Sequence, residues 1–192
     1  QTTAAVLGEM VGSGTQVFDN IVSRKITAKE IAGFDNIISG VDWGYYPDPW
    51  VFIRTYYHAG TRTLYIFDEA RGNKLQNDYT ARLVKERVAP GELILADLAD
   101  EKSCADYRSY GLRCWSARKG PGSRELGVRW LQGLNAIVID PDRCAPTLQE
   151  FLEWEYEVAP DGTVLGTLMD ANDHGIDAAR YACSRIWQRK GA

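Results

Sequence analysis

Two short apolar runs, Asn36 to Gly44 and Glu92 to Asp97, each deliver an aspartate, Asp42 and Asp97, at or near their ends. Their length, and the lack of any polar face along them, predict strands buried on both sides. A sheet that holds both strands therefore releases two carboxylates at its rim. Asp42 with Gly44 carries little meaning alone, since a strand-Asp-x-Gly turn also arises for simple backbone reasons and in phosphate loops. Its weight comes from the second aspartate.

The remaining pattern surrounds this pair with a mixed α/β plan. Trp50 to His58 and Arg62 to Ala70 are rich in Val, Ile, Tyr and Phe and are separated by Ala59-Gly60-Thr61, which predicts a hairpin antiparallel to the first strand. Asn77 to Val88 has helical spacing and stops at Pro90-Gly91. From there the chain alternates. Helices are expected at Lys102 to Tyr110, Ser123 to Gly133 and Ala145 to Trp154, and strands at Leu112 to Ser116 and Ala136 to Asp140, so the strand ending at Asp97 should pair in parallel. A small ribbon at Glu155 to Leu168 precedes a closing helix, Asp173 to Gln188, with Ile176, Ala179, Ala182, Cys183 and Ile186 on one side. Gly8, Gly12, Gly14 and Gly33 punctuate residues 1–36, expected to be an irregular lead-in to a core of residues 37–192. At 192 residues this is one domain. Its sheet should have three antiparallel strands followed by parallel ones, with helices on both faces.

Carboxylates at the ends of adjacent strands, joined by one from a flanking helix, form an oxygen-rich site suited to hard cations such as Mg2+ or Mn2+. Two such ions roughly 3.5 to 4 Å apart can activate water and stabilise the leaving oxygen of a phosphodiester, with no protein nucleophile. The closing helix offers Asp173, His174 and Asp177. Asp173 and Asp177 share a face at i, i+4, and His174 neighbours Asp177 at i, i+3. The plain structural alternative is that these acids complement the positive helix end, an effect of ~0.3 to 1 kcal/mol each, and that His174 is a hydrogen-bonded cap.

A net charge of −4 argues against nucleic acid as a partner. Yet between Lys102 and Arg129 seven basic residues face only Asp106 and Glu125. Lys102, Arg118, Lys119 and Arg124 are the expected phosphate contacts, against the alternative of a solvated helix face. The four cysteines show no zinc spacing and are expected reduced and buried. Trp50, Tyr56, Tyr65 and Phe67 lie in strands, where packing explains them better than base stacking. No run is long enough to span a membrane, no basic leader precedes Gly8, and the protein is expected to stay inside the cell. A start at Gln1 suits a piece of something longer.

These residues resemble a known family, the phage terminase large subunit, in its C-terminal nuclease domain. Gly8-Glu9-Met10-Val11-Gly12 is similar to the entry into that domain, Gly40-Val41-Asp42-Trp43-Gly44-Tyr45 to its first acidic motif, and Ile94-Leu95-Ala96-Asp97 to its second. Lys119-Gly120-Pro121-Gly122-Ser123 resembles the segment that follows. Asp173-His174-Gly175-Ile176-Asp177-Ala178-Ala179-Arg180-Tyr181-Ala182 resembles the third motif, which carries the role of metal ligand onto Asp177. The resemblance implies a ribonuclease H-like fold and two-metal-ion cleavage of double-stranded viral DNA during packaging, with low sequence specificity. Asp42 would bridge two Mg2+ or Mn2+ ions, Asp97 and Asp177 would each hold one, and His174 would orient water or support a ligand. Asp173 is a further metal candidate, and Asp100 and Asp170 are rival acids. The resemblance also implies partners: an ATPase motor domain upstream, since no GxxxxGK[ST] occurs here, a portal and a small terminase subunit. Competing expectations are a junction resolvase or integrase of the same fold, a sugar-kinase-like phosphotransferase, for which the chain is too short, and a docking module without chemistry.

Overall fold

The computed structural model describes residues 14–118 and 120–189. Strands β2 (Ile37–Asp42), β3 (Trp50–His58) and β4 (Thr63–Gly72) form an antiparallel meander. Val51 and Ile53 point to one face of β3, and Trp50 and Phe52 to the other, and all four are buried. This double burial is why the strand reads as a continuous apolar run. The chain then passes through helix α2 (Asn77–Lys85), strand β5 (Leu93–Ala96), helix α3 (Glu101–Ser109), strand β6 (Arg113–Ser116), helix α4 (Ser123–Gln132) and strand β7 (Ala136–Ile139). Helix α5 (Ala145–Glu153), the ribbon β8 (Tyr156–Val158) and β9 (Val164–Leu168), and helix α6 (His174–Ala182) follow.

With a short first strand, β1 (Ile21–Ser23), at one edge, the sheet order is β1-β7-β4-β3-β2-β5-β6. Pairings β2–β5, β5–β6 and β4–β7 are parallel, as expected. One core layer joins Val51, Ile53, Leu64 and Ile66 to Val128, Phe151, Ile176 and Ala179 of α4, α5 and α6. The other joins Trp50, Phe52 and Ile94 to Ala81, Val84 and Tyr107 of α2 and α3. Cys104, Cys114, Cys144 and Cys183 are buried and free, and Phe67 is core, as read from the sequence. No helix among the described residues is long and apolar enough to cross a membrane.

Two segments depart from expectation. Within the supposedly irregular lead-in, Ile21–Ser23 forms β1, which pairs in parallel with β7, and Ala28–Ala32 forms α1 behind a Thr27/Glu30 capping box. A three-residue strand is too short to show a period, and its partner lies more than a hundred residues away. The closing helix is broken at Cys183, and a short helix α7 (Ser184–Trp187) follows. There the Ser184 hydroxyl donates to the Tyr181 carbonyl at 2.7 Å, a local bond that competes with helical continuation.

Candidate metal centre

Asp42 is the last residue of β2, paired with Val51. Asp97 follows β5 directly, and its backbone N–H donates to the Val41 carbonyl at 3.1 Å, which extends the parallel pairing by one step. The two carboxylates thus leave neighbouring strands at one rim of the sheet. Asp97 Oδ1 also accepts the Ala99 N–H at 3.1 Å, which fixes the turn into α3, and the Trp43 indole donates to the Asp97 carbonyl at 3.1 Å.

Helix α6 brings the other candidates across this rim because glycine lets it lie directly on the sheet. A Cβ at Gly40 would stand 1.8 Å from the Ala178 carbonyl oxygen. On its far side, a Cβ at Gly175 would stand 2.3 Å from Thr147 Oγ1 and 2.9 Å from Glu150 Oε1. Glu150 accepts the Gly175 N–H at 3.0 Å and is itself held by Arg71 at 2.7 Å, and Arg71 is also paired with Glu69. This buried network docks the start of α6 on α5.

Docked in this way, His174 places Nδ1 3.1 Å from Asp42 Oδ2 and Nε2 3.5 Å from Asp48 Oδ1. The Asp42 hydrogen bond outweighs burial and lifts the His174 pKa to about 9. Burial in turn lifts Asp42 to about 6; the His174 bond opposes this, while the Asp177 and Asp97 carboxylates add to it. Asp177 is also lifted to about 6, by burial against the opposing pull of Arg180. Tyr181 is raised first by burial and then by Asp177, Asp97 and Asp42, so one phenol feels all three acids.

Their present partners complicate the simple picture. Asp177 Oδ1 is 3.0 Å from Arg180 Nη2, a guanidinium whose side chain is 6% exposed. Among the described residues, no group of three His, Cys, Asp or Glu is close enough to hold a metal ion as it stands. The donor chemistry nonetheless fits hard cations: the acids are oxygen donors, Asp42 and Asp177 are largely desolvated, and Asp97 and Asp177 disfavour ionisation of Asp42. For Asp177 to join, it must share or release Arg180.

The other acids have local duties. Asp100 caps α3 through the Ser103 N–H at 3.0 Å. Asp173 is buried and pairs with Arg124 at 2.9 Å, and Asp170 is exposed, 3.6 Å from the same guanidinium. Arg124, expected on DNA phosphate, is therefore committed to these acids and also lies over the Trp154 ring. Lys102 is exposed in a cleft of about 740 Å3 beside Trp43, Asp97 and Asp100. Arg118 is exposed beyond β6, and Lys119 lies outside the described residues. The sequence alone assigns no role to Asp48, Glu150 or Arg180. The i, i+3 spacing of Asp177 and Arg180 is a signal that could have found the last of these, whereas Glu150 sits on an ordinary amphipathic helix and sends none.

Comparison with known proteins agrees with this architecture. A family model described as the terminase RNAseH like domain matches residues 42–185, beginning at the first candidate ligand. The large terminase subunit of Bacillus phage SPP1 is 38% identical over 189 residues, 96% of this chain and 45% of that protein. The PBSX phage terminase large subunit of Bacillus subtilis (strain 168) is 30% identical over 144 residues, 75% of this chain and 33% of that protein. The chain thus spans less than half the length of either relative. Among solved structures, the g2p (large terminase) nuclease domain from bacteriophage SPP1 with bound Mn superposes with a TM-score of 0.82 at 37% identity, covering 88% of this chain and 97% of that one. The large terminase nuclease from thermophilic phage G20c with bound magnesium shares the fold at a TM-score of 0.54 and 18% identity, over 78% of this chain and 81% of that one.

Proposed function

Because this chain belongs to the terminase RNase H-like domain family, we propose that it is a divalent-cation-dependent endonuclease that cuts double-stranded viral DNA during genome packaging, with low sequence specificity. What supports this reading is that Asp42 and Asp97 leave neighbouring strands at one rim of the sheet, and that Asp97 and Asp177, on the helix packed over it, both add to the upward shift of Asp42. The similarity to a nuclease domain solved with bound Mn supports it.

In this reading Asp42, Asp97 and Asp177 would hold two divalent cations through their carboxylate oxygens. When bound, such cations lower the pKa of water and neutralise charge on the scissile phosphate. Asp177 offers its second oxygen while Arg180 keeps the first. His174 holds Asp42 in place and is within reach to orient water over the rim. Lys102 and Arg118 grip phosphate without reading bases, which fits cleavage of low specificity. Residues 1–192 act as one nuclease domain. The complete protein would add an ATPase motor and meet the portal and the small terminase subunit in the host cell cytoplasm.

The test is a plasmid-nicking assay with Mn2+ or Mg2+. We expect cleavage by the parent chain, none with chelator, none by Asp42→Asn at a parent-like thermal midpoint, and none by Asp177→Ala assayed well below its own midpoint, which falls because the buried Arg180 loses its partner. Cleavage by either folded variant at the parent rate would reject the assignment. A four-way junction cut in strong preference to plain duplex would favour a resolvase instead.

A further inference from the structure

A second functional surface lies beside the acidic rim. Seven arginines among the described residues each hold a carboxylate. Arg118, Arg185 and Arg189 do not, although all three are exposed and line a single groove of about 350 Å3. Its other lining residues, Leu95, Ser116, Ala117, Ser184 and Gln188, bring no acid. In a chain of net charge −4, three such guanidinium groups in one concavity are a concentrated positive site.

The groove is built, not incidental. Leu95 of β5 lies in it; one wall is the chain leaving β6, and the other is α7 with the two residues after it. Gln188 Nε2 donates to the Arg118 carbonyl at 2.6 Å and so ties the walls together. Arg185 lies on α7 and Arg189 just beyond its end, and both line the groove. The groove also adjoins the acids. Ser116 pairs with Ala96, and Ala117 N–H donates to the Ala96 carbonyl at 2.7 Å, so Arg118 leaves β6 next to the point where Asp97 leaves β5.

We propose that Arg118, Arg185 and Arg189 form a track for the phosphate backbone of DNA, leading a strand along the β6 edge of the sheet to or from the carboxylate rim. This rests on the nuclease reading for its substrate, and it adds two residues, Arg185 and Arg189, outside the basic segment that the sequence singled out. Guanidinium forks suit phosphate oxygens and carry no base preference.

The experiment measures binding of a fluorescent duplex to the full chain by anisotropy, across a salt series and with chelator present. The variants are Arg185→Gln/Arg189→Gln and Arg118→Gln. The control is Arg82→Gln/Lys85→Gln, which removes equal charge from α2 in the opposite helix layer. Each phosphate contact contributes about 0.9 to the slope of log affinity against log salt, so the double variant should flatten it by about 2 and weaken duplexes of different sequence alike. The control should keep most of the parent slope. A parent-like slope in the double variant, an equal loss in the control, or a parent that does not bind duplex would each overturn the track. Should the double variant not fold, Arg189→Gln alone, beyond the end of α7, should flatten the slope by about 1, and an unchanged slope overturns the proposal. If the parent cuts plasmid while the double variant keeps its slope, the track fails and the nuclease stands; if the parent never cuts while the variant loses its slope, the reverse holds.

Discussion

At the scale of single residues, the centre is a balance between buried acids and the cations the chain itself supplies. Arg180 is the sharpest case, because its buried side chain runs its aliphatic stem over Gly127 and its Nη2 is the group that meets Asp177. Arg180→Gln leaves Asp177 largely desolvated without a counter-charge and should cost about 2 to 4 kcal/mol, read as a lower urea midpoint; an unchanged midpoint would show that the pair contributes nothing. The pH behaviour follows from the same balance. Asp42 and Asp177 are lifted to about 6 in the fold, from an ordinary value near 3.8. The folded chain therefore keeps protons that the unfolded chain releases between about pH 4 and 6, and these two groups make stability fall as pH rises through that window. A cation must displace those protons, so Mn2+ affinity measured by calorimetry should be level above about pH 7 and drop steeply below about 6. Affinity that stays flat from pH 5 to 8 would contradict the assignment of these two acids as ligands. His174 shifts upward to about 9, so its contribution is complete below about 6.5 and disappears as pH rises through 9.

At the scale of elements, the centre depends on how closely α6 lies on β2. Gly40→Ala puts a methyl group where the Ala178 carbonyl oxygen stands, and a strand and a helix must separate to admit it. We expect a loss of about 1 to 3 kcal/mol or more in urea unfolding. Cleavage should fall further than the remaining folded fraction explains, since His174 and Asp177 ride on the displaced helix. A variant that stays folded and cleaves at the parent rate would show that this contact does not position the site. Legibility in the sequence followed the same division. The strands ending in Asp42 and Asp97 were readable because they are buried on both faces, and the α6 motif because its acids and histidine are clustered. Strand β1 was not readable, being three residues long with a distant partner, and the break at Cys183 was hidden behind a continuing apolar stripe. The commitment of Arg124 to Asp173 was invisible for a different reason: an arginine in a basic segment looks the same whether its partner is a phosphate or an acid 49 residues onward.

At the scale of the whole molecule, the proposed nuclease needs the fold to bring three remote acids to one rim and to leave a positive edge beside it. The mixed sheet does both, because its parallel half aligns the ends of β2, β5 and β6 side by side. The overall charge gave little hint of this, since the acids elsewhere mask a local groove of arginines. Crystals of the chain grown with Mn2+ and measured for anomalous scattering provide the most direct test. The account predicts two peaks about 3.5 to 4 Å apart, with Asp42 touching both, Asp97 and Asp177 touching one each, and Arg180 holding at most one oxygen of Asp177. Manganese bound elsewhere, or bound without Asp177 while its pair with Arg180 stays closed, would contradict it.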